Sequence, residues 1–240
     1  MRVILFIFVL FPLLLTADDK PKPKATPKAK AEAKAEDKAE KSEGTKLAAG
    51  LVGPLVEKLQ TSWDEAKSYK AKFKQVLFYK RMGTREETVG TLYVAKPGKM
   101  RWESDTDGVI QIMNGKKLWV IKPNKRRGIQ VVDVFSDLKK IMDPRPLSFL
   151  SGTGKFKDLY ETELLKETGT LAEIKFFPKT AATDSLIAEI DKESYLLRSL
   201  TTDSSDSRAR TEFTHTEVNP TLEEKLFEYK VLPTDVVHEN

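Results

Sequence analysis

From Tyr69 onward the chain is written in twos, and a period of two is what a half-buried β-strand requires, because successive side chains on a strand point to opposite faces. Tyr69, Ala71, Phe73, Gln75, Leu77 and Tyr79 alternate with Lys70, Lys72, Lys74 and Lys80. Glu86 to Ala95 reads as the hairpin partner of that strand. Further strands are predicted over Arg127–Asp133, Asp158–Lys166, Thr170–Phe177, Ser185–Asp191, Ser194–Thr202 and Ser207–Glu217, with a last one near Phe227–Val231. Short strands at regular spacing, with turn residues between them, point to an antiparallel barrel or a strongly curved sheet.

Two stretches sharpen that picture. In GTLYVAKPGKMRWESD, Leu92 and Val94 share a face, Lys96-Pro97-Gly98 interrupts, and Met100 and Trp102 share a face opposite Lys99, Arg101 and Glu103. In VIQIMNGKKLWVIK, Asn114-Gly115 is a favoured hairpin turn; it predicts Ile110 opposite Trp119 and Ile112 opposite Lys117. Ile110, Ile112, Trp119 and Ile121 then share one face, and Met113, Leu118 and Val120 the other. A hairpin apolar on both sides needs a cover on each.

Helical spacing occurs twice. Leu51, Leu55 and Leu59 with Val52, Val56 and Trp63 predict an amphipathic helix over Leu47–Lys67, weakened at its start by Gly50, Gly53 and Pro54. Phe135, Leu138, Ile141 and Met142 predict a second, ended by Pro144 and Pro146, after which Leu147, Phe149 and Leu150 form a short apolar turn. This is a helical insert in a β chain.

The N-terminus carries Arg2, an apolar run from Val3 to Leu15 and then Ala17 before two acids, the layout of a secretory signal peptide cleaved after Ala17, with an uncleaved anchor as the alternative. As a helix the run spans about 20 Å, short of the roughly 30 Å of a membrane core. Residues 18–46 are Lys, Ala, Pro and Glu without an aromatic or β-branched aliphatic residue, a composition that reads as a disordered linker. The folded domain is then 47–240. Net charge is +5, but the signal and linker hold much of it, which argues against nucleic acid as a partner.

Catalytic chemistry finds little footing. The chain has no cysteine and two histidines, His215 and His238, neither with a neighbour at ligand spacing, so no metal or cofactor is expected. Asp105 and Asp107 in SDTDG, and Asp203 and Asp206 in TDSSDS, read as turns. SGTGK at Ser151–Lys155 lacks phosphate-loop spacing and precedes a strand, and no G-x-S-x-G turn presents a nucleophile. A pair of carboxylates acting on an envelope polymer stays open as an enzymatic alternative, with no pair marked out.

The F-x-Q at Phe73 and Gln75, then GTLYVAKPGKMRWE, NGKKLWVIKP, PLSFLSG and FEYKVLPTDV, follow in the order found in the outer-membrane lipoprotein carrier family, LolA, which the chain resembles over residues 47–237. The resemblance implies an unclosed antiparallel half-barrel of about 11 strands, lidded by short helices. It also implies a periplasmic monomer that shields lipoprotein acyl chains, taking them from an inner-membrane releasing transporter to an outer-membrane acceptor. On that reading Leu92, Val94, Met100, Trp102, Ile110, Ile112, Trp119 and Ile121 line the cavity, and Phe135, Leu138, Ile141, Met142, Leu147 and Phe149 form the lid. Lys96 stands where the family carries a gate arginine, without the arginine's planar fork. A lipid or lipoprotein sensor of the same fold is the alternative within the resemblance.

Overall fold

The computed structural model describes residues 49–138, 155–179 and 185–240. The signal, the linker and the lid residues Ile141, Met142, Leu147 and Phe149 lie outside the described residues.

Among the described residues, twelve strands form one sheet. In chain order they are β1 (Ser68–Tyr79), β2 (Thr84–Ala95), β3 (Lys99–Ser104), β4 (Ile110–Asn114), β5 (Leu118–Asn124), β6 (Ile129–Phe135), β7 (Tyr160–Glu167), β8 (Leu171–Pro178), β9 (Ser185–Asp191), β10 (Leu197–Asp203), β11 (Ser207–Val218) and β12 (Val236–Glu239). Their spatial order is β12-β6-β5-β4-β3-β2-β1-β11-β10-β9-β8-β7. Two meanders therefore run outward from β1, and because β7 and β12 do not pair with each other the sheet stays unclosed. Helix α1 (Ala49–Glu65) and the single turn α2 (Phe156–Leu159) accompany it.

The lysine-rich alternation of β1 behaves as its period requires. Tyr69, Ala71, Phe73, Gln75 and Leu77 are buried on the inner face, while Lys70 and Lys74 reach Glu217 and Glu87 on the outside. Val52, Val56, Leu59 and Trp63 recur at helical spacing and are buried, so α1 lays one stripe across that inner face. Gly90 is required where β2 passes Phe73: an added Cβ would stand 1.8 Å from the Glu103 carbonyl oxygen and 2.8 Å from the Phe73 ring. That space lets the Phe73 and Trp102 rings pack together, tilted by 35°, with centroids 4.0 Å apart.

Three predicted details are corrected. In the NGKK hairpin Ile110 pairs with Ile121 and Ile112 with Trp119, two residues away from the predicted register. The cause is local: the Asn114 Oδ1 accepts the backbone N–H of Lys116 at 3.0 Å and of Lys117 at 2.9 Å, so Asn114 ends the strand and caps the turn from its side chain. A shift of two leaves every side chain on its predicted face. Phe135, placed on a helix by its spacing, is the last residue of β6, paired with Leu118. Finally, Phe227–Val231 is not a strand. Glu224–Phe227 is a 3₁₀ turn, and the last strand is β12, which joins β6 in parallel.

The reason for the third lies in the two-sided hairpin. Ile112, Trp119, Ile121, Val132 and Val134 form an apolar cluster on the outer face of β4–β6. Tyr229 packs on it, and Arg101 donates to the Leu226 carbonyl at 3.1 Å, so the C-terminal segment is spent as a cover before it reaches the free β6 edge. There His238 and Lys122 both engage the buried Asp133 carboxylate, at 3.0 and 2.7 Å.

Candidate functional site

Between α1 and the inner face of the sheet lies a small, partly open hollow of about 30 Å³. Trp63 of α1 roofs it. Tyr69 and Ala71 of β1, Leu92 and Val94 of β2, and Leu197 and Phe213 on the far side form its walls. Among the described residues that line it none is charged, and besides Thr216 only the aromatic Trp63 and Tyr69 carry a polar atom. Strand register explains the convergence: Val94 stands opposite Tyr69 and Met100, and Leu92 opposite Ala71 and Trp102, so one face of three adjacent strands is apolar in consecutive rows.

Lys96 stands at the edge of this hollow, in the turn between β2 and β3. Its Nζ donates a hydrogen bond to the carbonyl oxygen of Trp63 and sits 5.1 Å from the Trp63 ring centroid and 5.9 Å from that of Tyr69. Trp63 lies in the last turn of α1, where helix carbonyls have no intrahelical donor and the helix dipole is negative. That turn contains no basic residue of its own, so the β2–β3 turn brings the capping cation from the sheet. Burial lowers the Lys96 pKa below the ordinary lysine value, and the nearby Asp64 carboxylate works against that shift. Burial also drives the Tyr69 phenol upward, well out of reach of neutral pH.

Other bonds fix the same helix. Lys58 donates to the Tyr195 hydroxyl at 2.9 Å, tying α1 to the β9–β10 turn. At its C-terminal end the Lys67 N–H donates to Asn219 Oδ1 at 2.7 Å and the Lys96 N–H to the Lys67 carbonyl at 2.9 Å. The segment joining α1 to β1 is thus pinned, while α1 itself is held to the sheet by side chains. Trp63 stacks on Tyr69 with centroids 4.4 Å apart.

The residues nominated from sequence divide cleanly. Leu92, Val94 and Met100 are buried on the inner face, and Trp102 packs beside them half-buried. Leu92 and Val94 touch the hollow itself. Ile110, Ile112, Trp119 and Ile121 stand together, as their alternation predicts, but in the outer cluster under the C-terminal cover, with the sheet between them and the hollow. Their strand neighbours Met113, Leu118 and Val120 occupy the inner face instead. Of the lid residues, Phe135 is in the inner core and Leu138 packs against it. Lys96 engages α1, through the Trp63 carbonyl.

Trp63, Tyr69, Ala71, Leu197 and Phe213 were not nominated. Their signal was present in the alternation of β1 and β11 and in the apolar stripe of α1. What was missing was the pairing of β1 with β11, distant in sequence, which brings Phe213 opposite Phe73.

The family profile described as "Outer membrane lipoprotein carrier protein LolA" matches residues 64–230. Curated relatives named outer-membrane lipoprotein carrier protein include one from Coxiella burnetii (strain CbuK_Q154), 27% identical over 68% of this chain and 77% of its own length. Another, from Pseudomonas paraeruginosa, is 28% identical over 82% of this chain and 93% of its own. Among solved structures, a LolA superfamily protein from Nitrosomonas europaea is 9% identical with a TM-score of 0.39, covering 74% of this chain and 97% of that one, a likeness too slight to bear on function.

Proposed function

This chain belongs to the LolA family of outer membrane lipoprotein carrier proteins, and on that premise we propose that it shields lipoprotein acyl chains in the hollow beneath α1 and delivers them to the outer membrane. The observation that carries the reading is an apolar hollow roofed by a helix whose last turn is capped by one sheet lysine.

The energetics call for such an arrangement. Each buried CH₂ of an acyl chain is worth about 0.8 kcal/mol, so a lipid anchor leaves a membrane only for a comparably apolar site. As it stands the hollow offers only about 30 Å³, far below ligand pockets, which run from roughly 300 to 1,000 Å³. Taking up several long chains therefore requires α1 to lift. Its buried stripe, Val52, Val56, Leu59 and Trp63, covers the same wall the acyl chains would cover, so helix and cargo compete and re-closure assists release. Leu92, Val94, Met100 and Trp102 are the wall in this reading, α1 is the lid and Lys96 is the latch. The transporter that loads the carrier and the acceptor that unloads it belong to the same proposal, as do the periplasmic location, the signal peptide cleaved after Ala17 and the linker over 18–46.

The test is mass spectrometry of what co-purifies with the protein from the envelope fraction, followed by incubation with outer-membrane vesicles. Acylated lipoproteins that bind and then move to the vesicles support the carrier. Their absence, or a stable complex with a signalling protein and no transfer, overturns it.

A further inference from the structure

A second set of contacts on α1 leads to α2. Gln60 and Asp64, one helical turn apart, are bonded to each other, Gln60 Nε2 donating to Asp64 Oδ1 at 2.8 Å. Gln60 Oε1 accepts the backbone N–H of Phe156 at 2.7 Å, and Asp64 Oδ2 accepts from the Lys155 ammonium. Lys155 and Phe156 begin α2, whose Phe156 ring is buried in the inner core and meets Phe176 edge-on at 6.1 Å. No side chain caps the α2 N-terminus from within its own turn, so the Phe156 amide is satisfied from α1. Burial pulls the Asp64 pKa upward, but hydrogen bonds from Lys155 and Gln60 and the charges of Lys155 and Lys96 outweigh it and hold the carboxylate below its usual range.

We infer that Gln60 and Asp64 are positioning residues that join α1 to α2, so that the latch at Lys96 releases the two as one lid. The last turn of α1 is the point where both ends meet: the Trp63 carbonyl takes Lys96 from the sheet, and the next residue, Asp64, takes Lys155 from α2. A lone surface ion pair is worth little, but here the pair is braced by an amide that accepts the first backbone donor of α2. Without the brace, α1 would lift while Phe156 stayed in the core, and the wall near Phe176 would remain covered. The inference rests on reading α1 as the lid, yet its test needs no lipid.

Native-state hydrogen exchange on the full chain measures it, because segments that open together share one opening equilibrium. Amides in the second half of α1 and the Leu159 amide, which donates to the Lys155 carbonyl at 3.3 Å, should open together and respond together to Lys96→Leu. In Gln60→Leu the two should separate, Leu159 exchanging roughly five- to tenfold faster while α1 shifts less than about twofold. Lys155→Ala, which cuts an exposed side chain and leaves the backbone bond, should give a smaller split in the same direction. Different opening equilibria in the unaltered chain would overturn the inference. So would an equal acceleration of both segments in Gln60→Leu, since that marks Gln60 as contributing to stability alone. Failure of the chain to bind any lipid would count against the carrier reading and leave the shared opening standing.

Discussion

Replacing Lys96 with Leu removes one nitrogen from the last turn of α1 while keeping an apolar body against the Trp63 and Tyr69 rings. A hydrogen bond from a charged donor is worth roughly 1.5–3 kcal/mol, and an ammonium above an aromatic ring adds about 0.5–1 kcal/mol at an accessible site. Lys96 does not keep all of that. Its lowered pKa means that burial penalises the charged form by more than its surroundings return, so the charge is a net cost in the closed state. What remains is close to a neutral hydrogen bond, about 1 kcal/mol, or about fivefold in the closed-to-open ratio. Where the open form is rare, apparent affinity for an apolar fluorescent dye should rise by the same factor, about fivefold, because affinity scales with the competent fraction. Transfer of cargo to acceptor membranes should fall, because re-closure is weaker. Lys96→Arg should move both properties the other way, since the guanidinium fork reaches two acceptors and its weakly hydrated charge costs less to bury. A pH series adds a signature. The closed state binds the Lys96 proton less tightly than the open state, so raising pH through the window just below the ordinary lysine pKa favours closure and should lower dye uptake. Lowering pH through the depressed value removes that advantage, and neither substituted protein should show the step. Equal uptake, equal transfer and equal pH response in all three proteins would refute the latch and make Lys96 a turn residue that happens to lie beside α1.

The inner wall offers a graded test: Met100→Glu buries a charge in the core and should cost several kcal/mol of stability, whereas Trp102→Glu, half-exposed, should cost less and should impair cargo uptake more than it lowers Tm, as chemical denaturation and dye binding would report. Gly90→Ala should lower stability by about 1–3 kcal/mol or more, because a Cβ 1.8 Å from the Glu103 carbonyl forces β2 away from β3; an unchanged Tm would contradict the packing described. Asp133→Asn should loosen β12 through its weakened contacts with Lys122 and His238, seen as faster proteolysis after residue 230 with the rest of the domain intact. Deleting Lys20–Glu43 should leave the unfolding midpoint of the domain within a few degrees of the full chain, since that composition has almost nothing apolar to bury.

Local pattern was enough to determine a good deal of this protein. The period of two in β1, the apolar rows of β2 and β3, the stripe of α1 and the interruption at Lys96-Pro97-Gly98 are set by neighbours in sequence, and their side-chain directions follow from strand and helix geometry. Most of the strands and the inward-facing Leu92, Val94, Met100 and Trp102 were legible for that reason, whereas the unclosed sheet followed only from the resemblance, with about 11 strands in place of twelve. Alternation says which residues of β4 and β5 stand together. It does not say which of two apolar faces looks inward. That was decided by pairing across β3, which carries the inner row from Met100 to Met113 and on to Leu118, and by the C-terminal segment, which folds back to cover Ile112 and Trp119. The partner of Lys96 was decided in the same way. A carbonyl becomes an acceptor in need of a donor only when a helix ends there, and the donor reaches Trp63 only because β2 and β3 turn back beneath that end. Both contacts are long-range in sequence, and their free energy depends on burial that exists only once the sheet and α1 have come together.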